Sequence, residues 1–596
     1  MNPDDRQQIK HVLSRIPPKE WGSFIQSSAG EEFRRCLEAM RAAVGKKRGP
    51  QPRPTPELIG LYGYRLLADA SVGPWVRRQI LENLASTKWE KLAAIYRGTS
   101  SVRAKRLHGS MTQHGSGSQV MADYWHQGSQ WAQSFCQFAD LPNVLAQRRS
   151  NELLGDEAIS PAEPLPPLHD FQEEVYHRLR TLVRQTAGHA AMLSLPTGAG
   201  KTRVAVEAIC DHFAEDVEAR RRRNVVIWIA QSEELLVQAW ECFRQVWQVP
   251  PERSHGRVTR SVDLALVRAW GGRKPDDVQI GDTPTILIAG IDQLSSWAKK
   301  KQEFFEHFPR KRLACVIVDE AHSLVTAEQR KVLEALGVKA KHHWRTLLGA
   351  PLVLGLTATP WRTNDKESKS LQRFFQEDLV VPKKLGNKPI AKLQKLGILA
   401  NVTAKRLRIH GTKLMSPDQL RRFNHFRQIP DDYLIQLGLE DGRNVKILHS
   451  LTRLPAASRV LIFACSIEHA QILAIALNRI FGNEQAAVVT GKTPRGERAE
   501  LIDRFRRGDG LRFLCNVGVL TAGFDAPKTD VVCITRPTTS ALRYEQMVGR
   551  GLRGPRNGGT ETCTVMDVQD DGLPSGIQSY ARVLSVWDSR VDSNTN

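Results

Sequence analysis

Five short apolar runs, "AMLSLP", "NVVIWIA", "TILIAG", "ACVIVDE" and "LVLGLTA", follow one another between residues 191 and 358, each separated from the next by polar or amphipathic sequence. A strand that is apolar at every position has to be covered on both faces, and parallel sheets flanked by helices are where such strands occur. The pattern predicts an α/β unit. A second set, "RVLIFACS", "AAVVTG", "LRFLCNV", "VVCITRP" and "CTVMDV", predicts another in tandem. A chain of 596 residues exceeds what one core of roughly 250 to 300 residues can fill, so about three domains are expected.

The boundary ahead of the first strand set is "SPAEPLPPLHD", residues 160–170, whose four prolines forbid a regular helix and favour an extended linker. Upstream, "EEFRRCLEAMRAAVGKK" and "PWVRRQILENLASTKWEKLAAIYRG" carry apolar residues at helical spacing, with the basic "KKRGPQPRPTP" between them as an arm for nucleic acid or a plain linker. The expected organisation is a helical accessory domain over 1–160, a first α/β domain over 161–375, and a second over 376–596 that ends in a polar tail. No run approaches a membrane span, and the first residues lack the apolar core of a secretory signal, so a cytoplasmic location without membrane partners is expected. Nine cysteines without a C-x-x-C pair read as buried thiols in a reducing compartment.

Charge points to a polyanion. The net charge is +22, of which residues 1–150 contribute +10 (22 Lys and Arg against 12 Asp and Glu). Neutralising phosphates with such charge releases counterions, although lysine-rich faces also serve solubility alone.

"LPTGAGKT" lies between the strand "AMLSL" and the helical "RVAVEAICDHF". This is the setting of a phosphate-binding loop. Thr197, Gly198 and Gly200 let backbone N–H groups converge on phosphates, Lys201 reaches the outer ones, and Thr202 holds Mg²⁺. A proline stands in the region where the strict pattern has its first glycine, and a chance turn is the alternative. "VIVDEAH" adds Asp319 and Glu320 at the end of a buried strand, where adjacent carboxylates are costly unless they serve a cation or a reaction. Asp319 suits Mg²⁺, and Glu320 suits orienting or deprotonating a water. His322 would hydrogen-bond across the site, unless "DEAH" merely starts a helix.

Taken together and in order, these stretches resemble superfamily 2 helicases and translocases of the DEAH-box type over roughly residues 168–570, nearest to RadD-like, XPB-like and restriction-type DNA helicases. The resemblance implies two tandem RecA-like parallel-sheet domains closing on ATP and Mg²⁺. "LHDFQEEVYHRL" is similar to the Q motif, which implies Gln172 as adenine reader with Phe171 packed beside it. "WIAQSEELLVQAW" and "ILIAGIDQL" are similar to motifs Ia and Ib, with Gln231 at the strand's backbone. "GLTATPWR" resembles motif III and implies Thr357 and Thr359 in coupling. "NVGVLTAGFDAP" resembles motif V, with Thr521 touching nucleic acid and Gly523 and Asp525 near the ribose. "QMVGRGLR" resembles motif VI, with Gln546, Arg550 and Arg553 facing ATP.

The expected activity is therefore ATP-dependent translocation or helicase action on nucleic acid, DNA more than RNA, in repair or anti-phage defence. A protein partner, such as a nuclease, is expected through residues 1–160. The 18 residues between Pro527 and Gln546 leave no room for a strand-splitting hairpin, so translocation or local remodelling is the safer expectation. Alternatives are a nucleotide-gated clamp or scaffold and an RNA helicase. Trp125, Trp131 and Phe135 read either as base-stacking or as packing residues, and Arg220–Arg223 as a phosphate contact or a solvated loop. "HGTK" has the wrong spacing for an H-x-K nuclease.

Overall fold

The computed structural model describes residues 3–43, 54–63, 66–69, 71–99, 112–147, 166–185, 189–215, 223–247, 263–300, 303–321, 327–338, 350–358, 365–375, 378–482, 485–520 and 526–579. The chain forms two compact units. One comprises 1–153, 407–517 and 568–573; the other comprises 154–406, 518–567 and 574–596.

The second of these units is built on seven strands: β1 (His189–Ser194), β2 (Val225–Ala230), β3 (Ala265–Ala269), β4 (Thr285–Gly290), β5 (Leu313–Asp319), β6 (Leu352–Thr357) and β7 (Leu379–Val380). They are ordered β3-β4-β2-β5-β6-β1-β7, and every pairing is parallel. The five runs singled out in the sequence are β1, β2, β4, β5 and β6, and β2, β4, β5 and β6 are buried along their whole length. This is the signature of a sheet covered on both faces. The order brings β1, β6 and β5 side by side, so the loops after β1 and β5 open at the same carboxyl edge, where α/β sheets bind ligands.

Arg223 does not reach toward phosphate. Its guanidinium donates to the carbonyls of Gln185, Ala314 and Ala350 at 3.2, 3.1 and 2.9 Å, clasping the amino ends of β5 and β6, opposite to that edge. Arg220–Arg222 lie outside the described residues.

Strand β8 (Asn401–Ile409) is exposed along most of its length. In the other unit, β9 (Val460–Phe463), β10 (Ala486–Thr490) and β11 (Phe513–Val517) run parallel in the order β10-β11-β9. Strands β12 (Val531–Ile534) and β13 (Thr562–Asp570) form another parallel pair. The chain thus has the two-sheet parallel α/β architecture preceded by a helical N-terminal region.

That helical region shares one core with the helix Ile467–Phe481. Trp21, Phe24, Phe33, Leu58, Tyr96, Trp131 and Phe135 are buried in a single cluster that also takes in Ile472. Gln471 Nε2 donates to the Leu61 carbonyl at 3.1 Å, and Arg479 pairs with Glu57 at 3.0 Å. Gly60 leaves room for Ile475, whose Cγ1 lies 3.1 Å from where a Cβ would stand. Trp131 and Phe135 are packing residues. Trp125 lies edge-on to Phe135 at 5.5 Å, beneath the Arg77 guanidinium.

All nine cysteines are free, and burial pushes the Cys136, Cys242 and Cys563 thiols up to about 12. Among the described residues no helix is long and apolar enough to cross a membrane.

Candidate functional site

The loop after β1 turns at Gly198 and Gly200, whose φ values of 84° and 88° lie in the left-handed region that side chains avoid. Each glycine also admits a neighbour. A Cβ on Gly198 would stand 3.1 Å from Leu399 Cδ2, and one on Gly200 only 2.4 Å from Gln172 Nε2. The helix Lys201–Glu215 starts directly afterwards, which turns its unpaired N–H groups toward the loop. Lys201 Nζ donates to the Leu195 carbonyl at 3.3 Å, and Leu195 N donates to the Thr357 carbonyl, also at 3.3 Å. The buried Thr357, at the end of β6, is thus one backbone bond from the residue that holds the lysine.

Gln172 sits on the helix Asp170–Arg184 with both amide ends engaged. Nε2 donates to the Ala199 carbonyl at 2.9 Å, and Oε1 accepts from His169 N at 2.9 Å. In this state the side chain braces the loop instead of offering its amide outward. Phe171 is buried, its ring stacked on that of His169 at 6.0 Å.

Asp319 ends β5, paired with Leu356 in the register of β6, and is 3% exposed. Its carboxylate accepts from Glu320 N at 3.0 Å. Burial and the adjacent Glu320 carboxylate raise its pKa well above the usual range, with Lys201 opposing. Glu320 has a φ of 52°, a left-handed backbone that is uncommon for a residue other than glycine and that turns the chain sharply at the strand end. The cluster of buried negative charge against a desolvated lysine fits a divalent cation. Thr202 and Asp319 would supply oxygen donors of the kind Mg²⁺ prefers. Among the described residues no three His, Cys, Asp or Glu form a metal site of their own.

The helix Ala541–Val548 and the turn after it face the same loop. A Cβ on Gly549 would stand 2.4 Å from Thr197 Cγ2, so this glycine is what lets the two segments touch. Arg550 Nε donates to the Gln546 carbonyl at 3.1 Å, which helps orient the guanidinium. Lys201 keeps some exposed surface, but its ammonium is desolvated, which lowers its pKa; Glu320, Asp319 and Glu545 oppose the shift, and Arg550 adds to it. The backbone of Arg553 ties down the turn. It bridges Leu399 in antiparallel fashion, and its carbonyl accepts from Thr560 N at 3.0 Å. Ala400 N donating to the Leu552 carbonyl and Gly554 N to that of Ile398, both at 2.9 Å, tie the turn further to the segment that carries Leu399 over Gly198.

Gln231 follows β2, is exposed, and lines a small pocket together with Asp319. His322, Thr359, Thr521, Gly523 and Asp525 lie outside the described residues. Glu545 was missed by motif reasoning. Its signal was a carboxylate between Tyr544 and Met547, both buried, which makes Glu545 itself inward-facing and 5% exposed.

Residues 166–362 match the family described as type III restriction enzyme, res subunit, and residues 443–554 match the helicase conserved C-terminal domain. A 51.5 kDa protein of a Lactococcus phage (isolate 7-9) is 27% identical over 238 residues, covering 40% of this chain and 46% of that protein. The general transcription and DNA repair factor IIH helicase/translocase subunit XPB of Danio rerio is 22% identical over 397 residues, 66% of this chain and 43% of the relative. The chain therefore spans half or less of the length of these relatives. Among solved structures, Mss116p bound to ssRNA and AMP-PNP superposes with a TM-score of 0.43 at 15% identity, covering 68% of this chain and 70% of that one.

Proposed function

We propose that this chain, which belongs with the superfamily 2 helicases through its two matched domains, hydrolyses ATP and uses the cycle to move along or remodel nucleic acid. The observation that carries the reading is a glycine-turned loop holding Lys201 at the carboxyl edge of the sheet, with Asp319 and Glu320 ending β5 and the turn of Gly549 and Arg550 packed against Thr197. Lys201 and the N–H groups at the start of its helix bind the phosphates. Glu320 orients and deprotonates the attacking water. Arg550 meets charge developing on the transferred phosphoryl group, a contribution of about 10³ to 10⁵ in rate when an arginine performs it. Mg²⁺, held by Thr202 and Asp319, would neutralise phosphate charge. Gln172 and Phe171 would border the base, Arg553 would hold the turn that presents Arg550, and Thr357 would relay nucleotide state through Leu195.

DNA is the preferred substrate in this reading, supported by the net charge of +22 and by a DNA-repair relative, with repair or anti-phage defence as the setting. Residues 1–160 would recruit a protein partner. The test is hydrolysis by the full chain with single-stranded DNA, duplex DNA, forked DNA and RNA. Rates should rise with DNA and vanish in Lys201→Ala and Glu320→Gln; robust hydrolysis by both variants would sink the assignment.

A further inference from the structure

Seven large apolar side chains among the described residues stand well exposed, and four of them, Leu414, Leu420, Phe426 and Ile435, fall within one stretch of the chain. The other three are Val381, Val445 and Ile480. The stretch holds two helices, Pro417–Phe426 and Asp431–Gly438.

The first helix is well specified. Ser416 and Gln419 form a capping box, Pro417 fills the first position, and Arg427 ends the helix in left-handed backbone at φ 53°. Phe423, 1% exposed, anchors it inward, while Phe426 is 66% exposed with His425 edge-on to its ring at 4.6 Å. Local stability therefore does not account for the outward aromatic ring. Its surroundings are basic. From 407 to 438, the span of both helices and the strand end before them, the chain carries Arg408, Lys413, Arg421, Arg422 and Arg427 against Asp418, Asp431 and Asp432, and all five cations are exposed. Arg422 shares a helix face with Phe426, one turn away. Arg421 and Arg422 pair with Asp418 at 3.1 and 3.3 Å, and Arg422 also with Asp432 at 2.7 Å, but exposed pairs of this kind are weak and yield to a phosphate.

An apolar protein partner has no use for cations around the ring. An exposed aromatic ring with Arg422 one helical turn away and Arg427 next in the chain matches a nucleobase and its flanking phosphates. We propose that the helix Pro417–Phe426 is a nucleic-acid contact, with Phe426 stacking on a base and Arg421, Arg422 and Arg427 on the adjoining phosphates. The inference rests on the nucleic-acid reading above and adds to it a strand contact that lies outside the helicase motifs.

The test is fluorescence anisotropy of the full chain with labelled oligo-dT and oligo-rU across a salt series. Phe426→Ala should weaken binding roughly ten-fold, the size of one lost base–aromatic stack. Phe426→Trp should restore it, and Arg422→Ala should reduce the salt slope by about one phosphate contact. Hydrolysis without nucleic acid should be unchanged in all three variants. The two oligonucleotides separate DNA from RNA as the source of the base. Wild-type binding with Phe426→Ala unimpaired, or with Phe426→Leu as good as wild type, overturns the stacking assignment alone. A wild-type protein that binds neither oligonucleotide overturns this assignment and the nucleic-acid reading together.

Discussion

Glu545, one residue ahead of Gln546, alters what the phosphate-loop lysine meets. A third carboxylate beside Asp319 and Glu320 helps hold Lys201 charged against its desolvation, and it also repels the phosphate tail that the lysine would bind. Glu545→Gln should therefore lower the KM for ATP, by roughly five-fold if the repulsion amounts to about 1 kcal/mol, while kcat changes less. A KM at or above the wild-type value would show that Glu545 is only a structural residue. At this scale the sequence was legible where chemistry dictates residue type. Gly198 and Gly200 had to be glycines, and Asp319 and Glu320 were conspicuous at the end of an apolar strand. It does not report the bonds that arrange those side chains, such as the Gln546 carbonyl on Arg550 or the contacts of the Gln172 amide with Ala199 and His169.

Elements were read correctly wherever burial imposes a mostly apolar run, which holds for ten of the thirteen strands among the described residues. The three that escaped lack that constraint. Strand β3 is only half-buried and contains Arg268, β7 is two residues long, and β8 carries Lys405, Arg406 and Arg408 on an exposed surface. Charge of this kind on an exposed strand also discourages unwanted pairing.

The element joined least visibly to its neighbours in sequence is the helix Asp441–Thr452, held by a fully buried pair: Arg443 donates to both carboxylate oxygens of Asp570 at 2.7 and 3.0 Å. Asp570→Ala should cost about 3 to 5 kcal/mol, because it strands a buried guanidinium, and adding Arg443→Met should recover much of the loss. Denaturant midpoints of the two variants check this. Close by, His469 Nδ1 accepts from Cys465 N at 3.2 Å in a fully buried setting. Burial, then the Arg443 charge, holds its pKa well below the ordinary value. The folded state thus binds fewer protons than the unfolded one below about pH 6.5, so stability present above that pH is lost as the pH falls. His469→Gln should flatten the decline in melting temperature between pH 6.5 and 5; an unchanged slope would remove His469 as its cause.

For the whole molecule, the linker and the helical texture of residues 1–160 predict an accessory domain, and nothing in periodicity reports that its core includes a residue more than 300 positions downstream. Ile472 is fully buried in that cluster. Ile472→Asp should therefore lower the melting temperature and promote aggregation as strongly as a core change inside the N-terminal helices such as Leu58→Asp. A mild, purely local effect would show that the two parts fold independently. The same packing means that deleting residues 1–153 strips a cover from the helix Ile467–Phe481, so point changes are the cleaner probe of the N-terminal region.

That shared core also has a consequence in time. Leu61 and Gln471, which hydrogen-bond across it, are 410 positions apart in the chain. At about 5 to 20 residues per second of synthesis, the N-terminal helices wait roughly 20 to 80 s outside the ribosome before the segment that completes their core emerges. For that interval the nascent chain presents an uncovered apolar face, which makes the early helices natural clients of a holding chaperone.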